Sequence, residues 1–256
     1  MIDIPLMMIV SKFLVIGIRL TGMMLFAPFF GSVVIPARVK AMLVLALSFV
    51  VYPTVERGID SGILAHWPLL VFTEFIIGVG MGIATNIVFE AALLAGQVVG
   101  VQMGYSLVNI LDPQTQVETT VIPMFYQSIL MLLFLQMDVH LWILRAVDKS
   151  YSYLPPGTAH LTNLFTFATC RTVGEIFALG VQVAAPVLAA TLAADIILGL
   201  LGKSSPQMPL MLLGPAVKSL LGIAVLIATL KYWPDLFHRM FTAAITNSEQ
   251  LLHFAS

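Results

Sequence analysis

From Leu69 to Leu111 the chain runs for roughly 43 residues with only two charges, Glu74 and Glu90. As a single helix this stretch would be about 65 Å long, twice the roughly 30 Å hydrocarbon core of a bilayer. A second apolar run from Leu161 to Leu201 is nearly as long and contains Pro186, which should kink or break a helix. Both runs call for a membrane, and both are expected to fold as helical hairpins or as overlong, strongly bent helices. The whole composition agrees: 59% of residues are hydrophobic and 10% charged, against roughly 25% charged in a soluble domain.

Six stretches reach the length of a membrane span: Leu6 to Phe30, Val39 to Val55, Leu69 to Leu111, Val121 to Leu144, Val173 to Leu201 and Met208 to Trp233. The expected fold is all-α and polytopic, with six to eight long, kinked helices and helical hairpins. No linker divides residues 1–256, which read as one domain. Six spans would place Arg57, Arg145, Lys149, Arg171, Lys231 and Arg239 on one side, with Arg38, Lys40 and Lys203 opposite. That bias favours a cytoplasmic C-terminus. The start carries Asp3 instead of a basic region, so the first stretch is expected to be a retained segment, not a cleaved signal peptide.

Seven charged residues interrupt the apolar stretches: Lys12, Arg19, Glu74, Glu90, Glu175, Asp195 and Lys218. Each costs about 2.5–3.5 kcal/mol at a bilayer centre, so several are expected to face protein or a water-filled path. Lys12 and Lys218 suit snorkelling from helix ends. Ala92, Gly96, Gly100 and Gly104 recur every four residues, making a face where another helix can approach closely. Asn86, Glu90 and Gln97 form a separate polar stripe about 120–160° away. One helix then presents two protein-facing surfaces.

After that helix the chain turns polar. Asp112-Pro113 supplies a turn, since proline has no N–H and disfavours helix in the residue before it. Gln114, Thr115, Gln116, Thr119 and Thr120 follow, with uncharged polar side chains. Irregular backbone beside membrane-length helices must line a cavity or be buried in protein, so this loop is the expected seat of function.

Several chemistries are excluded. A net charge of −1 and the lack of a basic cluster argue against nucleic acid. The single cysteine, Cys170, makes neither a disulfide nor a zinc site. Gly199 to Ser204 ends like a phosphate-binding loop, but Ile197 stands where its first glycine belongs. Gly78, Gly80 and Gly82 lack the strand-turn-helix setting of a dinucleotide site and suit helix packing. Asp138 and His140 lie two apart and do not face each other on a helix. Without a nucleophile-base pair or metal set, no enzymatic centre and no cofactor are expected. A secondary transporter is the competing class, on the intramembrane charges and Pro-interrupted segments, although its only internal repeat would be the short pair beginning at Pro36 and Pro215.

One set of residues runs collinearly from about 19 to 220: Arg19, Ala27-Pro28, Ile35-Pro36-Ala-Arg38-Val-Lys40, Gly100-Val-Gln102-Met103-Gly104-Tyr-Ser106 to Asp112-Pro113, Phe134 to Trp142, Leu154-Pro155, Leu198 to Met208 and Gly214-Pro215. In this order and spacing the chain resembles the FliR family of flagellar type III export-gate subunits and their virulence-secretion relatives, SctT. Gln97 departs from the family, which carries a Gly-Glu pair before the Gln-Met-Gly run. The resemblance implies a single-copy subunit that assembles with FliP-like and FliQ-like subunits and contacts an FlhB-like one in the bacterial inner membrane, within the flagellar basal body. The resulting pore passes unfolded axial proteins. It further implies a lumenal plug at about 106–120, with Met103, Gly104, Ser106, Asn109, Asp112, Pro113, Gln114, Thr115, Thr119 and Thr120 as gate residues. Ala92, Gly96, Gly100, Glu90, Arg38, Lys40, Pro206, Gln207 and Met208 are then expected at packing and subunit-interface positions.

Overall fold

A computed structural model describes residues 3–32, 35–53, 55, 67–105, 121–159, 163–204 and 210–254. The described residues are helical, with no β-strand among them. In chain order the helices are α1 (Asp3–Phe26), α2 (Ala37–Val51), α3 (Trp67–Gln102), α4 (Val121–Gln136), α5 (Val139–Tyr153), α6 (Asn163–Ser204), α7 (Leu210–Thr229) and α8 (Trp233–Phe254). A 3-10 turn, Leu230–Tyr232, joins the last two without a loop. Proline marks several starts: Pro68, Pro123 and Pro234 each sit in a first helical turn, where a missing N–H costs nothing.

The described part of each overlong run holds one long helix. α3 spans 36 residues and α6 spans 42, and Pro186 lies inside α6 without ending it. The hairpin alternative for these runs is therefore replaced by helices longer than a bilayer is thick. The stretch expected from Val121 to Leu144 is broken instead. Asp138 adopts a left-handed conformation (φ 55°, ψ 28°), which a short polar residue tolerates, and α4 and α5 bend by 65° at that point.

Among the described residues, four helical segments are long and apolar enough to cross a membrane: Ile9–Phe26, Trp67–Gln102, Asn163–Ser204 and Leu213–His253. The bent α4–α5 pair makes a fifth if it counts as one span. This corrects the six-span reading. With 15 residues, α2 rises only about 22 Å, short of a bilayer core. Arg171, Lys231 and Arg239, assigned to loops in the orientation argument, lie within continuous helix, so their sidedness no longer follows from parity.

The chain forms two compact units, one from Met1–Ile87, Leu135–Gly174 and Met240–Ser256, the other from Val88–Phe134 and Glu175–Arg239. In the first, α1 and α3 cross with almost no space between backbones. A Cβ on Gly78 would collide with the carbonyl oxygen of Arg19, one on Gly22 with that of Phe75, and one on Gly82 would lie 2.6 Å from that of Met23. Gly80 instead faces the Phe165 ring. The glycines that mimic part of a dinucleotide fingerprint are helix-packing residues. In the second unit Gly96 lies against the backbone of Pro123 and Gly180 against Leu94. There α3, α4 and α6 meet.

Candidate functional site

Two polar clusters occupy apolar surroundings, one in each unit. In the first, Arg19 on α1 is fully buried and donates from Nε to Glu74 Oε2 on α3 at 2.7 Å. Its other nitrogens donate to Ser150 Oγ at 3.0 Å and to the Leu154 carbonyl at 3.1 Å. The Tyr151 ring covers the guanidinium at 4.2 Å. The second oxygen of Glu74 accepts from the Gly157 N–H at 3.1 Å. Local sequence aims that N–H. Pro156 and Gly157 occupy the two central positions of a turn closed by Thr158 N–H to Pro155 O, and Gly157 has φ 82°, as a type II turn requires. Two isolated charges that would each be costly in hydrocarbon thus neutralise each other with their hydrogen-bonding capacity largely used. Sequence singled out Arg19, Glu74 and the Leu154-Pro155 motif separately, but nothing in their spacing joins them.

The second cluster sits at the root of the polar loop. Residues 106–120, including Ser106, Asn109, Asp112, Pro113, Gln114, Thr115, Thr119 and Thr120, lie outside the described residues, as do Pro206, Gln207 and Met208. Both flanks are described. α3 ends in a Schellman arrangement: Gly104 N–H reaches Val101 O at 3.0 Å, Tyr105 N–H reaches Gly100 O at 3.1 Å, and Gly104 takes φ 89°. Gly104 therefore terminates the helix. On the far side of the loop, Ile122 and Pro123 at the start of α4 pack against Gly100 and Gly96, so the loop leaves and returns beside the same two turns of α3.

One face of α7 grips this root through Pro215, Lys218, Ser219 and Gly222, at positions i, i+3, i+4 and i+7. Gly104 lies over Pro215, with room of only 3.0 Å from an added Cβ to the proline's own. Ser219 donates to the Tyr105 hydroxyl at 3.1 Å. The Met103 side chain, itself buried, fills the space above Gly222, where a Cβ would meet it at 2.8 Å. Gln102 donates to Asp195 Oδ2 on α6 at 3.0 Å, while Lys218 Nζ approaches the other oxygen of the same carboxylate at 3.0 Å. Lys218 does not snorkel, in contrast to the expectation from sequence: it lies mid-helix and pairs. Lys12 sits over the Tyr52 ring at 4.4 Å.

The remaining expected residues separate clearly. Ala92, Gly96 and Gly100 are buried on one side of α3, whereas Glu90 and Gln97 are exposed and Asn86 is half-buried. Gly96 and Gly100 are already covered by α4 of the same chain. Arg38 is exposed in the first turn of α2, and Lys40 turns back to donate to the Gly31 carbonyl at 3.1 Å. Among the described residues no group of three His, Cys, Asp or Glu side chains could hold a metal ion. Ser219, Gly222, Asp195 and Gln102 were absent from the sequence-derived site. The four-residue stripe on α7 is periodic enough to be read as a packing face, but its partner is more than a hundred residues away.

Long apolar helices, a buried ion pair and a polar loop held at its base define a polytopic helical membrane protein. The chain belongs to the family described as bacterial export proteins, family 1, whose model matches residues 10–244. It is similar to the flagellar biosynthetic protein FliR of Bacillus subtilis, with 25% identity over 94% of both chains, and to FliR of Escherichia coli, with 26% identity over 82% of this chain and 81% of that one. It is also 24% identical to the surface presentation of antigens protein SpaR of Shigella flexneri, over 81% of this chain and 80% of the relative. The expected membership of the family that contains FliR and its secretion relatives is met.

Proposed function

We propose that this chain is a structural, pore-forming subunit of the bacterial flagellar type III protein export gate. It assembles with FliP-like, FliQ-like and FlhB-like subunits in the inner membrane at the flagellar basal body, and it passes unfolded axial proteins without catalysing a reaction. Family membership along nearly the whole chain supports export. The observation that carries the gating role is the geometry of the loop root. α3 ends at the Gly104 cap, Pro215, Ser219 and Gly222 of α7 and Asp195 of α6 hold its last residues, and the start of α4, on the far side of the 15 polar-rich residues 106–120, packs on Gly96 and Gly100 of the same helix. Residues 106–120 act as the lumenal plug, with a base fixed by these contacts.

Apolar side chains left outward support an assembled state. Phe167, Phe177, Ile196 and Leu200 on α6 and Leu220 and Ile227 on α7 are all more than half exposed. An apolar surface of that extent requires lipid or neighbouring subunits over it.

Two measurements test the proposal. Purification in mild detergent through a tag on this chain is expected to recover a stoichiometric heteromer; a stable monomer or homodimer counts against a gate subunit. Deleting 112–120 is expected to make the assembled complex leaky to small ions, and unchanged conductance together with unchanged export removes the plug. The virulence-secretion reading rests on the SpaR match. Loss of motility on gene deletion, with protein toxin secretion intact, separates the two.

A further inference from the structure

Outside both clusters, a cavity of about 300 Å³ opens between α5 and α8 in the first compact unit. Each helix contributes one stripe at i, i+3, i+4 and i+7, running from Trp142 to Lys149 on α5 and from Thr242 to Glu249 on α8. Arg145 and Lys149 stand four residues apart, so both cations reach the same opening. Glu249 is the only acid in the lining, and it stands 3.8 Å from Lys149 in a solvent-exposed contact, worth little at such exposure. The lining therefore keeps a net positive charge. The Thr246 hydroxyl is engaged with the Thr242 carbonyl, and Arg145 and Lys149 are the charged donors of the lining.

We propose that this cavity binds the phosphate of an anionic phospholipid headgroup. Its size lies at the lower end of small-molecule sites, enough for a phosphodiester and its glycerol. Arg145 offers the planar fork that matches two phosphate oxygens, and Lys149 adds a point charge. Ile245 and Trp142 supply an apolar wall, and tryptophan suits the depth of headgroups. α8 continues a segment long and apolar enough to cross a membrane, and α5 follows α4 in a bent pair that reaches that length together, which brings the site within reach of lipid headgroups. The proposed gate function does not use these residues.

The test uses the full-length protein in neutral detergent, with added phosphatidylglycerol, phosphatidylcholine or sodium phosphate, read by thermal unfolding and by lipid retention in native mass spectrometry. Phosphatidylglycerol is expected to raise the midpoint and to be retained, while phosphatidylcholine does neither. Combined Arg145→Gln and Lys149→Gln is expected to weaken retention about thirtyfold, from about fivefold per cation at a membrane surface. Arg239→Gln, an exposed cation on α8 outside the cavity, should leave retention unchanged. Glu249→Gln should tighten it, and this variant carries the test even if the double variant fails to fold. Equal retention of the two lipids, an equal loss in Arg239→Gln, or no tightening in Glu249→Gln overturns the site. A full stabilisation by sodium phosphate alone overturns the lipid assignment in favour of a free anion.

Discussion

Arg19 Nε lies 2.7 Å from Glu74 Oε2 with both side chains wholly inaccessible to solvent, across 55 positions of sequence. A pair so buried joins α1 to α3 and, through Ser150, Leu154 and Gly157, to the end of α5. Breaking it by Arg19→Met or Glu74→Met leaves a lone buried charge and is expected to cost roughly 3–5 kcal/mol. The double substitution should cost less than either single one. Denaturant unfolding in mixed micelles measures all three, and additive losses would show that the pair is not coupled.

The α1–α3 crossing tolerates no side chain at Gly78, because the obstacle is backbone on both sides. Gly78→Ala is expected to force the helices apart and to lower the unfolding midpoint sharply. Gly174→Ala and Gly199→Ala meet nothing within 4 Å and lie in the interior of α6, so each should stabilise by about 0.5–1 kcal/mol through helix propensity. A uniform response across the three glycines would mean that the close crossing is not formed.

Gly104 needs its left-handed backbone to end α3. Gly104→Ala is expected to cost roughly 1–2 kcal/mol from conformation alone, plus the adjustment of Pro215. Gly104→Asn should be milder, since asparagine visits that region more readily. If the loop root sets the gate, ion leakage through the assembled complex should follow the order Val, Ala, Asn at this position. Equal leakage in all three would detach helix termination from gating.

Asp195 and Lys218 remain partly exposed, at 42% and 18% of their side chains. Their attraction alone is worth under about 1 kcal/mol, so Lys218→Met should change stability little. Gln102 depends on the same carboxylate, and Asp195→Asn is expected to loosen the loop base more than its stability loss suggests. Exchanging the charges as Asp195→Lys with Lys218→Asp should restore the ion pair but not the hydrogen bond to Gln102. Hydrogen exchange at Gln102 to Tyr105 reads that difference, and full protection in the exchanged variant would assign the anchoring to charge alone.

Much of the architecture follows from local pattern. Apolar run length revealed the membrane class, and the two faces of α3 were visible in its four-residue glycine step and its Asn86, Glu90 and Gln97 stripe, because helical period acts within one element. Two features escaped for a related reason. Asp138 breaks what hydropathy presents as one span, since a left-handed residue leaves no trace in apolar content. Gly104 continues the glycine step in sequence but leaves it in space, where it caps the helix. The Arg19–Glu74, Gln102–Asp195 and Tyr105–Ser219 pairings span 55, 93 and 114 residues, which no periodicity records.

The grip of α7 on the loop root also imposes an order in time. Ser219 lies 114 positions after the tyrosine it holds, and at about 5–20 residues per second that interval takes roughly 6–23 seconds of synthesis. Until then Met103, Gly104 and Tyr105 lack the contacts that α7 gives them. A nascent or prematurely terminated chain therefore carries Met103 to Tyr105 before it carries the helix that holds them.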